Sequence, residues 1–229
     1  MKAYLVIDDV KRLADAATCL RDRLLIWILF WLGCRISEAL GLEVKHIDFR
    51  SRTVAIEHLK ARVRLLCQYC GASLSKSHAF CPKCGRKVKE AGTEEKQHRR
   101  MRVLPLDPEI MRLLREYIQR GGPVNKEGKL LIFGINRHRA WQIVKECAEQ
   151  AGLEKLYNPD SGKRHNVSPH RLRDAFSVMA IKRDDSTDGV RMLQQQLGHA
   201  SITTTMRYRK VSGHELKEWY QRLRGRKDD

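Results

Sequence analysis

Two stretches of the chain hold side chains whose types and spacing suit attack on a phosphodiester. In SPHRLRDAF, His170 and Arg173 stand three apart, so a helix would put both on one face. His199 follows a Leu-Gly pair in LGHAS, and Tyr208 comes nine residues later in TTTMRY. An arginine fork grips the non-bridging oxygens of a phosphate, a histidine donates hydrogen bonds or moves protons near neutral pH, and a tyrosine can become a covalent nucleophile. Upstream, Arg35 follows a glycine turn in GCRISEALGL, with Glu38 one helical turn on and able to orient it. Taken singly, each has an ordinary reading. Arg35 and Glu38 could be a surface pair, His199 a helix end, and Tyr208 half-buried packing. Their conjunction points to phosphoryl-transfer chemistry.

A second pattern is CQYCGASLSKSHAFCPKCG, two CxxCG turns carrying Cys67, Cys70, Cys81 and Cys84. Each CxxC lets two thiolates approach one ion, and four thiolates in tetrahedral array suit structural Zn²⁺ and leave no open position for catalysis. Redox CxxC pairs are the alternative. The odd total of seven cysteines argues against a disulfide framework. Cys19, Cys34 and Cys147 read as small buried residues. So small a loop has little apolar core, and metal would supply most of its folding energy. Basic residues from Arg62 to Lys89 flank it and could add a DNA contact.

The elements that must position these groups are legible in outline. The chain has 229 residues, is 42% apolar and carries a formal charge of +18, which favours a polyanionic partner. Asp8 or Asp9 can cap a helix starting near Val10. A second helix, 21–32, is apolar nearly all round and reads as buried, and Gly33 ends it. Its apolar run, 24–34, is shorter than the ~20 residues a bilayer needs. No signal peptide is visible, so a cytosolic protein with no membrane partner is expected. Strands are expected at 53–56 and 100–106, on either side of the cysteine stretch. Asp107-Pro108 opens a helix, 130–133 is a short apolar strand or turn, and 137–151 is a further helix. A polar loop at 157–167 offers Lys163, Arg164 and His165 to DNA or to solvent. Pro169 opens the helix with His170 and Arg173, and Val190–Leu197 is a helix stopped by Gly198. Ser201 caps a helix expected to carry Met206, Arg207 and Tyr208. A basic amphipathic tail from His214 carries Leu216, Trp219, Tyr220 and Leu223, for a neighbouring protomer or the chain's own core. No Walker loop, GxGxxG or carboxylate cluster is present, so neither ATP nor a catalytic metal is expected.

HRLR, LGHAS, TTTMRY and GCRISEALGL resemble the boxes of the tyrosine recombinase (phage-integrase-like) family. The resemblance covers nearly the whole chain apart from about thirty residues around the cysteines. It implies an α+β fold, a mainly helical catalytic domain over 1–229 with a small antiparallel β-hairpin, the zinc ribbon being an insertion at 65–92. The family's N-terminal core-binding domain is expected to be absent, since the first helix begins almost at the first residue. By the same resemblance Arg35, Arg173 and His199 would bind the scissile phosphate, and His170 would assist as proton acceptor. Tyr208 would attack to give a 3′-phosphotyrosyl link. A hairpin lysine would protonate the leaving 5′-oxygen: Lys60, at the end of the outgoing strand, with Lys96 as the rival. The partner would be double-stranded DNA, with self-assembly on it as dimer or tetramer, in the nucleoid-associated cytoplasm. A non-catalytic DNA-binding protein of the same fold and a type IB topoisomerase-like relaxing enzyme are the alternatives.

Overall fold

The computed structural model describes the chain apart from residues 1, 59–60, 76, 89–90, 98–99, 159–161, 210–219 and 222–229, and apart from the side chains of 58, 61–64, 91 and 93–100. The elements run α1 (Ile7–Asp15), α2 (Leu20–Trp31), α3 (Ile36–Leu40), a 3₁₀ turn (Val44–His46), β1 (Ile47–Asp48), β2 (Thr53–His58), β3 (Ala61–Cys67), β4 (Ser73–Leu74), β5 (Ala91–Gln97) and β6 (Arg100–Pro105). There follow α4 (Pro108–Gln119), β7 (Val124–Lys126), β8 (Lys129–Leu131), α5 (Arg137–Gln150), β9 (Leu156–Tyr157), β10 (Arg164–His165), α6 (Pro169–Arg183), α7 (Thr187–Leu197) and α8 (Ile202–Met206). This is the α+β architecture expected. Two units are distinguishable, Met1–Ile56 with Arg102–Asp229, and Glu57–Met101.

The first unit is built around α2. Leu24, Leu25, Ile26, Ile28 and Leu29 are all fully buried, as an all-round apolar helix requires, and α1, α4 and α6 pack on it. Each such side chain contributes about 1.5–3 kcal/mol by leaving water. Gly33, at φ +53°, then turns the chain at a place where a Cβ would meet Phe176 and Leu197 at 2.9 Å. A small sheet of order β1-β2-β6 flanks the helices. Asp107 caps α4 by accepting from the amides of Glu109 and Ile110, as its sequence signalled.

Several boundaries differ from expectation, each for a local reason. α1 starts at Ile7, because Asp9 acts from inside the first turn and accepts from the Val6 amide at 3.1 Å. α7 starts at Thr187, where Ser186 accepts from Gly189 N. α8 ends at Met206, so Tyr208 lies just beyond it, in a turn closed by its amide on Thr205 O. The segments around 130 and 157–167 hold two antiparallel pairs, β7–β8 and β10–β9. Cys34 and Cys147 are buried, but Cys19, at the N-cap of α2, is exposed. Of the tail, Leu216, Trp219 and Leu223 lie outside the described residues, and Tyr220 is exposed.

The second unit is a sheet of order β4-β3-β5 with the four cysteines at one end. Its register pairs Arg62 with Lys96 and Cys67 with Ala91. Cys67, Leu74 and Cys81 form its small buried cluster.

Candidate active site

α6, the turn after α2 and the turn after α7 converge in the first unit. Gly33 O accepts from Arg173 Nη1 at 2.6 Å and Leu197 O accepts from Arg173 Nη2 at 2.9 Å, so one guanidinium ties both turns to α6. Arg173 is 2% exposed. Its bonded partners are neutral, two carbonyls and an imidazole, so its charge is left for an anion to meet. Burial first, and then the nearby charge of Arg35, hold its pKa below the usual arginine range.

Arg35 follows the Gly33 turn at the N-cap of α3. Glu38, buried at 3% exposure, accepts from the Arg35 amide at 2.9 Å and from Arg35 Nη1 at 3.0 Å. The expected orienting pair is therefore present. Glu38 also takes a bond from Arg102 Nη2 at 3.0 Å. Arg102 comes from β6 and its Nε is buried with no hydrogen-bond partner among the described residues.

α7 ends in a left-handed Gly198, and the next amide, that of His199, donates to Gln194 O. This sets the angle of the His199 ring. Its Nε2 lies 2.9 Å from Arg173 Nη2, and its Nδ1 lies 2.9 Å from Thr205 Oγ1. A guanidinium only donates, so Nε2 accepts and the ring proton sits on Nδ1. Burial, then Arg173, push the ring's pKa down to about 4, so it is neutral at pH 7. In this arrangement His199 orients Arg173.

Tyr208 stacks beside His199 with ring centroids 6.4 Å apart. Its hydroxyl donates to Asp174 Oδ1 at 2.9 Å. Burial, then Asp174, push the phenol up to about 12. His170, on the outer face of α6, has its Nε2 3.7 Å from the same Asp174 oxygen, with its side chain 70% exposed.

Arg35, His170, Arg173, His199 and Tyr208 all line one groove of about 720 Å³. Arg137, Arg171 and Arg207 join them, against Asp174 as the one carboxylate among the described residues that line it, and His165 of the expected basic loop is there too. Lys60 lies outside the described residues. The backbone of Lys96 lies in β5, opposite Arg62. Sequence reasoning missed Arg102, Asp174 and Thr205. Arg102 was readable, since alternation places it on the face of Leu104 and Leu106, both core residues. Asp174 was readable as the helical i+4 neighbour of His170. Nothing in the sequence marked Thr205.

In the second unit the four cysteine sulfurs lie within 4.8 Å of one another. Cys67 and Cys84 sulfurs are 3.7 Å apart and those of Cys70 and Cys81 are 3.5 Å apart. Tetrahedral Zn–S bonds of ~2.3 Å require sulfur separations of ~3.8 Å, so the set fits that ion. The two turns are equivalent. Gly71 N donates to Cys67 O at 2.8 Å and Gly85 N to Cys81 O at 2.9 Å, with both glycines left-handed. The backbone amides of Cys84 and Tyr69 lower the Cys81 and Cys67 thiols towards the thiolates a metal needs, while burial and then the Cys81 thiol raise that of Cys70.

The tyrosine recombinase XerD of Bifidobacterium longum is 31% identical over 224 residues, covering 94% of this chain and 60% of that protein. XerD of Corynebacterium glutamicum is 28% identical over 223 residues, covering 93% and 56%. The chain thus spans little more than half the length of these curated relatives. A crystal structure of XerA recombinase superposes with a TM-score of 0.63 at 21% identity, over 99% of this chain and 65% of that one, which shows the shared fold. The model of the Phage integrase family matches residues 4–69 and 73–215, and the chain belongs to that family.

Proposed function

We propose that the chain is the catalytic domain of a site-specific DNA recombinase that cuts and rejoins strands through a 3′-phosphotyrosine. The observation that carries this reading is the meeting of Arg35, Arg173, His199 and Tyr208 in one cationic groove, drawn from segments more than a hundred residues apart in sequence. Arg35 and Arg173 hold the scissile phosphate and offset the charge that builds on its oxygens. His199 keeps Arg173 aimed. Tyr208 attacks phosphorus and the 5′-oxygen leaves, protonated by Lys60, with Lys96 as the alternative donor. A 5′-hydroxyl then reverses the step. The ester keeps the bond energy, so no ATP is required.

Double-stranded DNA is the partner that suits a charge of +18. Among solved relatives, one of TM-score 0.59 is XerH bound to difH substrate, and another, of TM-score 0.54, is a lambda integrase dimer bound to a COC' core site. Assembly of two or four copies on DNA, in the nucleoid-associated cytoplasm, follows by analogy. No described helix is long and apolar enough to cross a membrane. The second unit binds structural Zn²⁺ through Cys67, Cys70, Cys81 and Cys84. It also grips phosphates beyond the active site. No Asp or Glu occurs from residue 58 to 89, while Lys83, Arg86 and Lys87 are exposed and Arg86 stacks over exposed Tyr69 at 4.6 Å.

The test is capture on a nicked suicide duplex. The wild-type chain should form a covalent adduct mapping to Tyr208, and Tyr208→Phe should bind but form none. An adduct with the Phe variant sinks the assignment of the nucleophile. Adducts with supercoil relaxation but no strand exchange would instead mark a topoisomerase-like enzyme.

A further inference from the structure

Asp174 is a buried acid, 5% exposed, in a groove otherwise rich in arginine. Its Oδ2 accepts from Arg171 Nη1 at 2.9 Å, which fixes the carboxylate plane. Its Oδ1 accepts the phenolic hydrogen of Tyr208 at 2.9 Å and lies 3.7 Å from His170 Nε2. One oxygen therefore touches the reacting hydroxyl on one side and faces a solvent-exposed imidazole on the other.

A phenol attacks phosphorus well only if its proton leaves as the new bond forms. Few described neighbours of Tyr208 can take it, and His170, the acceptor that the resemblance implies, has its Nε2 3.7 Å from the Asp174 oxygen that already holds the phenolic hydrogen. His199 has Nε2 occupied by Arg173, and its Nδ1 carries the ring proton and points at Thr205. Arg173 has no free lone pair to offer. Ser177, which also faces the phenol, is not a base at neutral pH. Asp174 already holds the proton at hydrogen-bond distance.

We propose that Asp174 is the base of strand cleavage, taking the Tyr208 proton on Oδ1 as the phenolic oxygen attacks the scissile phosphorus. This rests on Tyr208 being the nucleophile. The Tyr208 O–P bond forms, the P–O5′ bond breaks, the phenolic proton moves to Asp174, and the 5′-oxygen receives a different proton from the lysine donor or from water. On rejoining, the Asp174 carboxyl protonates the departing phenolic oxygen. His170, next to the same oxygen and largely in solvent, exchanges that proton with water between the two steps. Before DNA binds, the same contact keeps the phenol protonated, so the nucleophile is held in place but quiet. Its release to attack then requires a phosphate in the groove, where Arg35 and Arg173 stabilise the charge that moves off the phenol.

The experiment is single-turnover capture of a nicked suicide duplex by the full chain, with duplex affinity and thermal melting measured in parallel. Asp174→Asn keeps the shape and removes the base. It should slow capture about 10²–10⁴-fold with affinity nearly unchanged. Placing 2,3,5-trifluorotyrosine at position 208 lowers the acidity barrier of the phenol, and should speed the Asn variant at least about tenfold more than it speeds wild type, since a more acidic phenol depends less on a base. A second route is Asp174→Ala with added formate, a free carboxylate that should restore capture in a concentration-dependent way. Capture by the Asn variant at the wild-type rate or faster overturns the proposal. So does slow capture that neither the fluorinated phenol nor formate improves, which would leave Asp174 only a positioning role. If wild type itself forms no adduct, it is the recombinase reading that fails.

Discussion

Removing the Glu38 carboxylate should both loosen the fold and slow the chemistry, by amounts the geometry sets. Glu38 is 3% exposed and accepts from the Arg35 amide at 2.9 Å, Arg35 Nη1 at 3.0 Å and Arg102 Nη2 at 3.0 Å. Breaking a buried ion pair by deleting one partner costs about 3–5 kcal/mol, because the other charge stays behind. The Arg35 side chain is 37% exposed, so water screens its share, while that of Arg102 is only 11% exposed and bears most of the loss. Glu38→Ala should therefore cost about 3 kcal/mol, near the lower limit. At ~2–4 °C per kcal/mol for a domain of this size, Tm falls by roughly 6–12 °C. Glu38→Gln should fall between, since its amide N–H₂ would face a guanidinium or the Arg35 N–H. Trp27, Trp31 and Trp141 belong to the first unit and no tryptophan occurs in 57–101, so tryptophan fluorescence reports the first unit's melting separately from the four-cysteine unit. Arg35, having lost its fixed angle, should misplace the phosphate and slow covalent capture about 10²-fold. A melting point within ~2 °C of wild type together with unchanged capture would refute this account, because it would mean that the buried carboxylate neither stabilises nor orients either arginine.

Chelation should release about one zinc per chain and speed amide exchange through 65–88, while the tryptophan melting transition holds; a single cooperative collapse of both units would contradict an independently built metal unit. Replacing Lys83, Arg86 and Lys87 by alanine should make log affinity for duplex DNA less steep in log salt, by up to ~0.9 for each phosphate no longer neutralised; an unaltered slope would leave the basic stretch without a role in binding. His199 has its pKa pushed down to about 4 from an unfolded value near 6.5, so the unfolded chain takes the proton first. Its contribution to stability is then whole above pH 6.5 and declines as pH falls toward 4, and urea melts across that range should show a slope that His199→Gln lacks.

The parts of the fold with local grammar were legible from sequence. α2 announced itself by an apolar run too short for a membrane, Asp107-Pro108 by a cap and a first-turn proline, and the cysteine turns by their glycines. The starts of α1 and α7 were misjudged because the place where Asp9 or Ser186 reaches a free amide is a matter of backbone angle and not of residue type. In the site, Arg35 and Glu38 were readable because the pair is local, within one helical turn. Arg102 on Glu38 joins residues sixty-four apart, and no periodicity at either place says they meet. The same holds for His199, whose expected role was to face a phosphate. Its tautomer depends on Arg173 and Thr205 together, and only the folded chain fixes both partners.

Arg102 is the second residue after the start of β6, with Met101 and Val103 on either side turned out to solvent at 52% and 65% exposure. A pleated ribbon distinguishes only odd from even, so sliding β6 along β2 by a single step would trade the guanidinium for a thioether or an isopropyl group beneath Glu38. The cysteine-bearing excursion between those two strands is thus free to vary in size across evolution, or at the hands of a protein engineer, only so long as the strand comes back in phase. What must be kept is the register of its return, because a one-residue slip there would take Arg102 away from Glu38 without altering Arg35, Arg173 or Tyr208.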